Sequence, residues 1–302
     1  VRYTNSVRQD MFRSLIFVPS NSEKYLNKAK ILNADIVCLD LEDSVPLAEK
    51  DQARQLIKVA LATRSTYRTK NMYIRINSFD SGLTFNDLKA VIQKGIDGIV
   101  LPKVNNENEI SVVDRILSTL EQEIGIQEKT IKIGASIESA KGVVNSYSIA
   151  KASDRVNMLI FGVFDFLNDM HLDYKEGSNN ELEYAYARSK IPVDARAAGI
   201  EAIDGIWQKI DDISGLKKDA SLARRLGYAG KSLIHPSQIE IVHEEFIPSR
   251  SEIEWATKVV KALDEESKSG GTRGALRLEG KMIDAVHYKQ AKAILEDVNE
   301  NR

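Results

Sequence analysis

The sequence predicts an α/β protein, a (β/α)8 TIM barrel followed by a C-terminal helical extension. Short apolar runs recur along the chain, and each one leads into a charged or polar side chain. Successive end residues stand about 27 to 39 positions apart, close to the roughly 30 residues of one strand–helix unit. These end residues are Asp40, Arg75, Lys103, Glu138, Asp165, Asp204 and His235. Eight such units close a barrel more naturally than they fill an open sheet, and the chemistry of such barrels sits at the C-terminal ends of the strands.

Eight runs have the length and apolar character of buried parallel strands. They are Ser14–Val18, Asp35–Leu41, Met72–Ile76, Gly98–Leu101, Lys132–Ile137, Asn157–Phe161, Ile200–Ile203 and Gly230–Ile234. This alternation with helical segments is typical of a parallel sheet.

Seven helical patterns separate the runs, with apolar residues three and four positions apart. They are Asn21–Ala34, Glu49–Thr63, Thr84–Lys94, Glu109–Ile124, Lys141–Ala152, Asn180–Ala198 and Asp219–Leu226. Pro192 lies inside the sixth pattern, so we expect either a kink or a break there. Further helices follow His235. We therefore divide the chain into a barrel catalytic domain, residues 1–240, and a helical extension, residues 241–302.

Composition restricts the class of protein. The 302 residues are 43% hydrophobic and 28% charged, as in a soluble globular protein, and the formal charge of −2 argues against a nucleic-acid or membrane-surface partner. No apolar stretch approaches the ~20 residues that cross a bilayer. Cys38 has no second cysteine to pair with, which favours a reducing cytoplasm. The first ten residues lack the apolar core of a signal peptide, but an organelle presequence stays open because the sequence starts at Val1.

Glu138 and Asp165 follow two consecutive predicted strands, so both carboxylates should reach the same rim. Two hard carboxylates brought together attract Mg²⁺, which fills its other positions with water or substrate. The alternative is a pair of independent, solvated loop acids.

Arg75 ends the third predicted strand between two isoleucines. Its guanidinium suits a bidentate grip on a substrate carboxylate. It could equally form a structural salt bridge to Asp40, Glu42 or Asp43 at the end of the preceding strand, and both roles could hold at once.

Other charged residues have simpler alternatives. Lys24 and Lys28 lie one turn apart and could meet phosphates, but a solvated helix face explains them as well, and the same holds for Lys231. His235 could be a base, a cap or a packing residue. Asp284 follows two apolar residues, a pattern typical of a helix start. No glycine-rich phosphate loop, zinc motif or nucleophile elbow occurs.

Eight motifs together resemble one family. They are Arg13–Pro19, Asp40–Val45, Arg75–Asn77, Leu101–Val104, Ile137–Ala140, Phe161–Asp165, Gly230–Pro236 and Gly280–Asp284. Their order resembles that of the citrate lyase β-subunit-like proteins, a group with malyl-CoA and citramalyl-CoA lyases in the aldolase/citrate lyase superfamily. Two departures are Ser20, where the family usually has glycine, and the bulky Val163 and Phe164 before Asp165.

The resemblance assigns roles to matching positions. It implies that Glu138 and Asp165 bind Mg²⁺ and that Arg75 binds the keto acid or the thioester oxygen. Phe17, Lys24 and Lys28 would touch coenzyme A, and Ile234 and His235 would hold its adenine end. Asp284 would be the catalytic aspartate, delivered to a neighbouring subunit of a homo-oligomer, a trimer, by the C-terminal extension.

The function implied is a Mg²⁺-dependent carbon–carbon lyase. It would cleave a 3-hydroxyacyl-CoA (citramalyl-CoA, malyl-CoA or citryl-CoA) to acetyl-CoA and a 2-keto acid. Alternatives are an aldolase of free keto acids, the β subunit of a citrate lyase complex acting on an acyl-carrier thioester, or a non-catalytic coenzyme A-binding homologue. Thioester hydrolysis after cleavage is a further possibility.

Overall fold

The computed structural model describes residues 12–172, 181–268 and 274–300, and it contains a closed eight-stranded parallel barrel, which confirms the predicted fold class. Each strand pairs with the next, and β8 pairs with β1 through Ser14 and Lys231. The strands are β1 (Ser14–Pro19), β2 (Ile36–Asp40), β3 (Asn71–Arg75), β4 (Gly98–Leu101), β5 (Lys132–Ile137), β6 (Val156–Phe161), β7 (Glu201–Asp204) and β8 (Gly230–Leu233). Each one overlaps a predicted run.

Helices follow the strands around the barrel and continue beyond it. They are α1 (Glu23–Ala29), α2 (Lys50–Ala62), α3 (Thr84–Val91), α4 (Glu107–Glu123), α5 (Ala140–Lys151), α6 (Val163–Asp169), α7 (Ala185–Ala198), α8 (Ile213–Leu226), α9 (Gln238–Phe246), α10 (Arg250–Lys268) and α11 (Ala285–Glu300). Among the residues that the structure describes, no helix is both long and apolar enough to cross a membrane.

The barrel interior is filled by side chains from alternate strand positions. Cys38, Tyr73, Met158 and Ile203 belong to one buried cluster there. A Cβ on Gly98 would lie 2.3 Å from the Tyr73 ring, so β4 needs glycine at this point for the ring to fit. Burial, and then the charge of Asp40, raises the pKa of the Cys38 thiol. Cys38 is therefore a neutral packing residue.

Helix α7 contains Pro192 without a break, so the break considered from the sequence is wrong. The helix begins at Ala185, and Asn180, the predicted start, lies outside the described residues. Proline cannot donate the backbone hydrogen bond that the carbonyl of Arg188 would otherwise accept. The Tyr228 hydroxyl donates to that carbonyl instead, at 2.8 Å. This side-chain substitute lets the helix continue.

Two compact units make up the chain, Val1–His243 and Glu244–Arg302. The predicted boundary at residue 240 falls inside α9, whose His243 contacts Ser14 Oγ at 2.7 Å through Nε2. The second unit contains α10, α11 and an antiparallel pair of short strands, β9 (Leu276–Leu278) and β10 (Lys281–Ile283). Its own core includes Val259, Leu263 and Ile283.

Candidate active site

Arg75 is held at the end of β3 by two carboxylates from the end of β2. Its Nε and Nη2 donate to the two oxygens of Asp40, each at 2.6 Å, and its Nη1 lies 3.2 Å from Glu42 Oε2. The guanidinium carbon also lies 4.4 Å from the centre of the Phe17 ring. The structural salt bridge considered from the sequence is therefore present, and it fixes the orientation of the guanidinium.

The charges of this pair stabilise one another. Burial alone would raise the pKa of Asp40, but Arg75 more than offsets it, so the pKa is lowered. Burial likewise works against the charge on Arg75, yet Asp40 and Glu42 raise its pKa. Both groups are ionised at neutral pH.

Lys103, two residues after the end of β4, contacts the same acidic side chains. Its Nζ lies 2.9 Å from Glu42 Oε1, 3.3 Å from Asp43 Oδ2 and 3.7 Å from Asp165 Oδ1. Burial raises the pKa of Glu42 even though Arg75 and Lys103 act against the rise. In the sequence Lys103 is a strand-end residue within the Leu101–Val104 motif, and Glu42 is a possible partner for Arg75 within the Asp40–Val45 motif. The contact between Lys103 and Glu42 joins two loops that are far apart in sequence, so no local sequence pattern signals it.

Glu138, directly after β5, is buried among these charges. Burial, followed by the charges of Glu42 and Asp165, raises the pKa of Glu138 to about 8, and Arg75 and Lys103 limit the rise. Its side chain lies against Gly162, where a Cβ would stand 2.4 Å from Glu138 Cγ. A glycine at 162 is therefore what leaves room for the carboxylate.

Asp165 lies in the first turn of α6, so the alternative interpretation of Asp165 as a loop residue is wrong. Residues 163–169 form a single short helix whose N-cap, Gly162, offers no capping side chain. The helix carries Phe166 and Leu167 into the core and leaves the Asp165 side chain 43% exposed at the rim.

The two acids together form a donor set suited to a hard divalent cation. The charge of Asp165 contributes to the raised pKa of Glu138, after burial and the charge of Glu42. No group of three or more His, Cys, Asp or Glu side chains among the described residues has the arrangement of a metal site. A cation on Glu138 and Asp165 would thus keep most of its coordination positions for water or substrate, as Mg²⁺ commonly does.

The lysines assigned to coenzyme A lie on the outer face of α1. Lys24 and Lys28 are both exposed, one turn apart, whereas Leu26 between them is buried. Phe17 at the end of β1 is half-buried and packs on the barrel cluster. Ser20, the departure from the family pattern, is buried, and its hydroxyl donates to Val18 O at 3.4 Å.

The segment after β8 presents backbone groups to a buried amide. The N–H groups of Ile234 and His235 donate to Gln238 Oε1 at 3.1 and 3.3 Å, and Gln238 Nε2 donates to Trp207 O. The His235 ring is exposed and contacts Ser237 Oγ at 2.8 Å. Gln238 thus fixes the segment assigned to adenine, a role that the sequence did not reveal.

Lys231 does not belong to a solvated face, so that interpretation is wrong. It is buried, and its Nζ donates to Asp204 Oδ2 at 2.7 Å and to Gly205 O at 2.6 Å, and contacts Asp219. Arg188 bridges the same two aspartates, at 2.7 Å each. Two cations and two anions are thereby buried together where the end of β7 pairs with the start of β8.

Asp284 begins α11 in the second unit. Its Oδ1 accepts hydrogen bonds from the N–H groups of Val286 and His287 and contacts the His287 ring at 2.7 Å. The hydrogen bond with His287 lowers the pKa of Asp284, so the carboxylate is ionised at neutral pH. The helix-start interpretation is confirmed by this geometry, and the catalytic role stays a prediction.

Known proteins are similar to this chain along most of its length. Residues 13–236 match the model of the family described as HpcH/HpaI aldolase/citrate lyase. Citrate lyase subunit beta of Leuconostoc mesenteroides subsp. cremoris is 38% identical over 96% of this chain and 94% of its own length. The (3S)-malyl-CoA thioesterase of Cereibacter sphaeroides is 31% identical over 94% of this chain and 93% of its own.

A solved structure is similar as well. The crystal structure of CitE from Mycobacterium tuberculosis in complex with magnesium, acetoacetate and coenzyme A superposes with a TM-score of 0.78 at 26% identity. The superposition covers 95% of this chain and 98% of the CitE chain. The family model, the relatives and the solved structure together confirm the resemblance drawn from the eight motifs and the enzyme class, a carbon–carbon lyase. The chain belongs to the HpcH/HpaI aldolase/citrate lyase family.

Proposed function

We propose that the protein is a Mg²⁺-dependent lyase that cleaves a 3-hydroxyacyl-CoA to acetyl-CoA and a 2-keto acid. The observation that carries this proposal is the contact chain at one rim of the barrel, in which Glu42 joins Arg75 to Lys103 and Lys103 contacts Asp165, with Glu138 buried among these charges. The similar CitE structure, which holds magnesium, acetoacetate and coenzyme A, supports it.

Glu138 and Asp165 would hold the metal ion. When bound, Mg²⁺ supplies Lewis-acid stabilisation of the oxygen that becomes the keto group. Glu138 is well placed because burial and neighbouring acids destabilise its charged form, and a divalent cation offsets that cost. Arg75, oriented by Asp40, would offset the negative charge that develops on the substrate.

Asp284 would exchange the proton at the methyl carbon of acetyl-CoA. In the condensation direction an ionised carboxylate is the form needed to remove that proton, and the His287 contact favours this form. In cleavage the same group returns the proton to the carbon. We propose that Asp284 acts on the site of a neighbouring copy in a homo-oligomer, a trimer by family resemblance.

Phe17, Lys24, Lys28, Ile234 and His235 would bind the coenzyme. Two exposed ammonium groups one turn apart match the spacing of a phosphate pair. The backbone held by Gln238 offers a rigid edge to the adenine end.

A condensation assay tests the proposal. The protein would be incubated with acetyl-CoA, Mg²⁺ and glyoxylate, pyruvate or oxaloacetate in turn, and hydroxyacyl-CoA formation measured. We expect one keto acid to react, and Glu138→Gln to abolish the product while leaving the fold intact. Absence of product with all three acids, under conditions where coenzyme A binds, would contradict it.

A second candidate is the β subunit of a citrate lyase complex, acting on an acyl-carrier thioester. The relatives that carry the name citrate lyase subunit beta favour it. Cleavage of free citryl-CoA by the isolated chain would support the first candidate. Activity that appears only with a thioester on a carrier protein would support the second.

Hydrolysis after cleavage is a separate question, raised by the relative named (3S)-malyl-CoA thioesterase. Release of free thiol from a hydroxyacyl-CoA, measured with a thiol reagent, would distinguish a hydrolase from a lyase.

A further inference from the structure

Lys103 places one ammonium group among three carboxylates of the rim. Its Nζ contacts Glu42 at 2.9 Å, Asp43 at 3.3 Å and Asp165 at 3.7 Å. Lys103 has no role in the proposed reaction steps, although its side chain links the acids of the β2 loop to Asp165, one of the proposed metal ligands.

The backbone of Lys103 adopts an unfavourable conformation to reach this place. Its φ is +55°, in the left-handed region that glycine occupies at lower cost. The loop is fixed at this residue and directly after it, because Val104 N donates to Ser136 O at 3.1 Å and Asn105 Nδ2 donates to Lys103 O at 3.1 Å. A lysine that tolerates this conformation at a functional rim points to a use for its side chain.

The charges around Lys103 indicate what that use is. Five acids, Asp40, Glu42, Asp43, Glu138 and Asp165, lie around Arg75 and Lys103, and a third cation, Lys50, interacts with the acids of the β2 loop from the buried side, so the rim has more acids than cations. Arg75 is committed to Asp40 and Glu42. Lys103 instead lies beside Asp165, the exposed one of the two proposed metal ligands. Its positive charge there would repel a divalent metal ion bound to Asp165.

We propose that Lys103 sets the affinity of the metal site. Its ammonium shares Asp165 with the divalent ion, so it keeps an acid-rich rim from holding that ion more tightly. The inference rests on the proposed metal site at Glu138 and Asp165.

Manganese binding measured by electron paramagnetic resonance tests this directly. Free Mn²⁺ would be titrated near neutral pH, in the same buffer for every variant. We expect Lys103→Met and Lys103→Gly to bind Mn²⁺ at least about fivefold more tightly than wild type at low salt, with a smaller difference in high salt. Lys103→Arg, which keeps the charge, should stay within about twofold. The glycine variant fits the backbone, so it reports on the charge even where the methionine variant folds poorly.

Lys129 offers a matched control. It also has a positive φ, +64°, and its Nζ pairs with one aspartate, Asp154, at 3.2 Å on the surface. Lys129→Met and Lys129→Gly both remove a charge away from the rim, and the glycine variant also relieves a positive φ, so Mn²⁺ affinity should not change.

Two outcomes would overturn the proposal: wild-type or weaker Mn²⁺ binding by both Lys103→Met and Lys103→Gly, or equal tightening by the Lys129 variants. Glu138→Gln and Asp165→Asn separate this from a failure of the proposed function. If they bind Mn²⁺ like wild type, the metal site itself is misplaced. If they lose it while the Lys103 variants bind as wild type, only the role of Lys103 fails.

Discussion

At the scale of single residues, the site depends on how Glu138 is packed. The carboxylate is buried and rests on the backbone of Gly162, at the junction of β6 and α6. Its neighbours include Glu42 and Asp165, which raise its pKa together with burial. The absence of a side chain at Gly162 therefore leaves the space that the Glu138 carboxylate occupies.

We expect Gly162→Ala to weaken metal binding by at least about tenfold, the scale seen when a residue supporting a metal ligand is changed. Gly162 has φ −96°, which alanine adopts readily, so any loss comes from the 2.4 Å overlap with Glu138 Cγ and not from backbone strain. Mn²⁺ titration would measure the loss, and thermal unfolding would show that the barrel is retained. Wild-type affinity would mean that Glu138 can move aside and still bind.

At the scale of elements, the strands could be predicted and some of their connections could not. Buried parallel strands are apolar throughout, so the strands around Ile36 and Ile99 can be recognised from the local sequence, without knowing which strands they pair with. Glu138 and Asp165 were paired from their position after consecutive strands. Helix α6 was missed because seven residues without a capping side chain give no periodic signal. The β9–β10 pair was missed because its strands are three residues long.

The burial of Lys231 shows a second limit of sequence reasoning. Its partners are Asp204 at the end of β7 and Asp219 on α8, and a fourth member, Arg188, lies on α7. Lys231 lies within the predicted strand Gly230–Ile234, but its burial could not be inferred because its partners come from elements far away in sequence. The network then ties two helices to the last two strands.

Lys231→Met should destabilise the barrel by about 3–5 kcal/mol, because it leaves Asp204 and Asp219 with one buried cation in place of two. Chemical denaturation at neutral pH would measure the change. Lys89→Met, an exposed lysine on α3, is the control and should stay within about 0.5 kcal/mol of wild type. A loss below about 1 kcal/mol for Lys231→Met would show that the network contributes little.

At the scale of the whole molecule, the proposed chemistry is divided between two compact units. The barrel unit carries the metal ligands and Arg75, whereas the second unit carries Asp284 at the start of α11. A catalytic group outside the barrel unit is consistent with a site completed by a neighbouring copy, as the family resemblance implies.

We expect Asp284→Ala to bind coenzyme A normally while turnover falls at least ~10²-fold, the scale of a lost acid–base group. A mixing experiment tests whether the residue acts between copies. Asp284→Ala and Glu138→Gln, each strongly impaired alone, would be unfolded and refolded together. In a mixed oligomer, the Asp284→Ala copy supplies an intact Glu138 and a neighbouring Glu138→Gln copy supplies an intact Asp284. A site that combines the two intact residues should restore part of the activity. A refolded mixture no more active than its components would place Asp284 in its own copy's site or outside the mechanism.

The most direct measurement is a crystal structure determined after soaking with a magnesium salt. We expect one ion bonded to an oxygen of Glu138 and an oxygen of Asp165, each at about 2.0–2.1 Å, with its other positions filled by water. An ion bound elsewhere, or side chains that cannot reach a common ion, would contradict the proposed metal site and the lyase mechanism built on it.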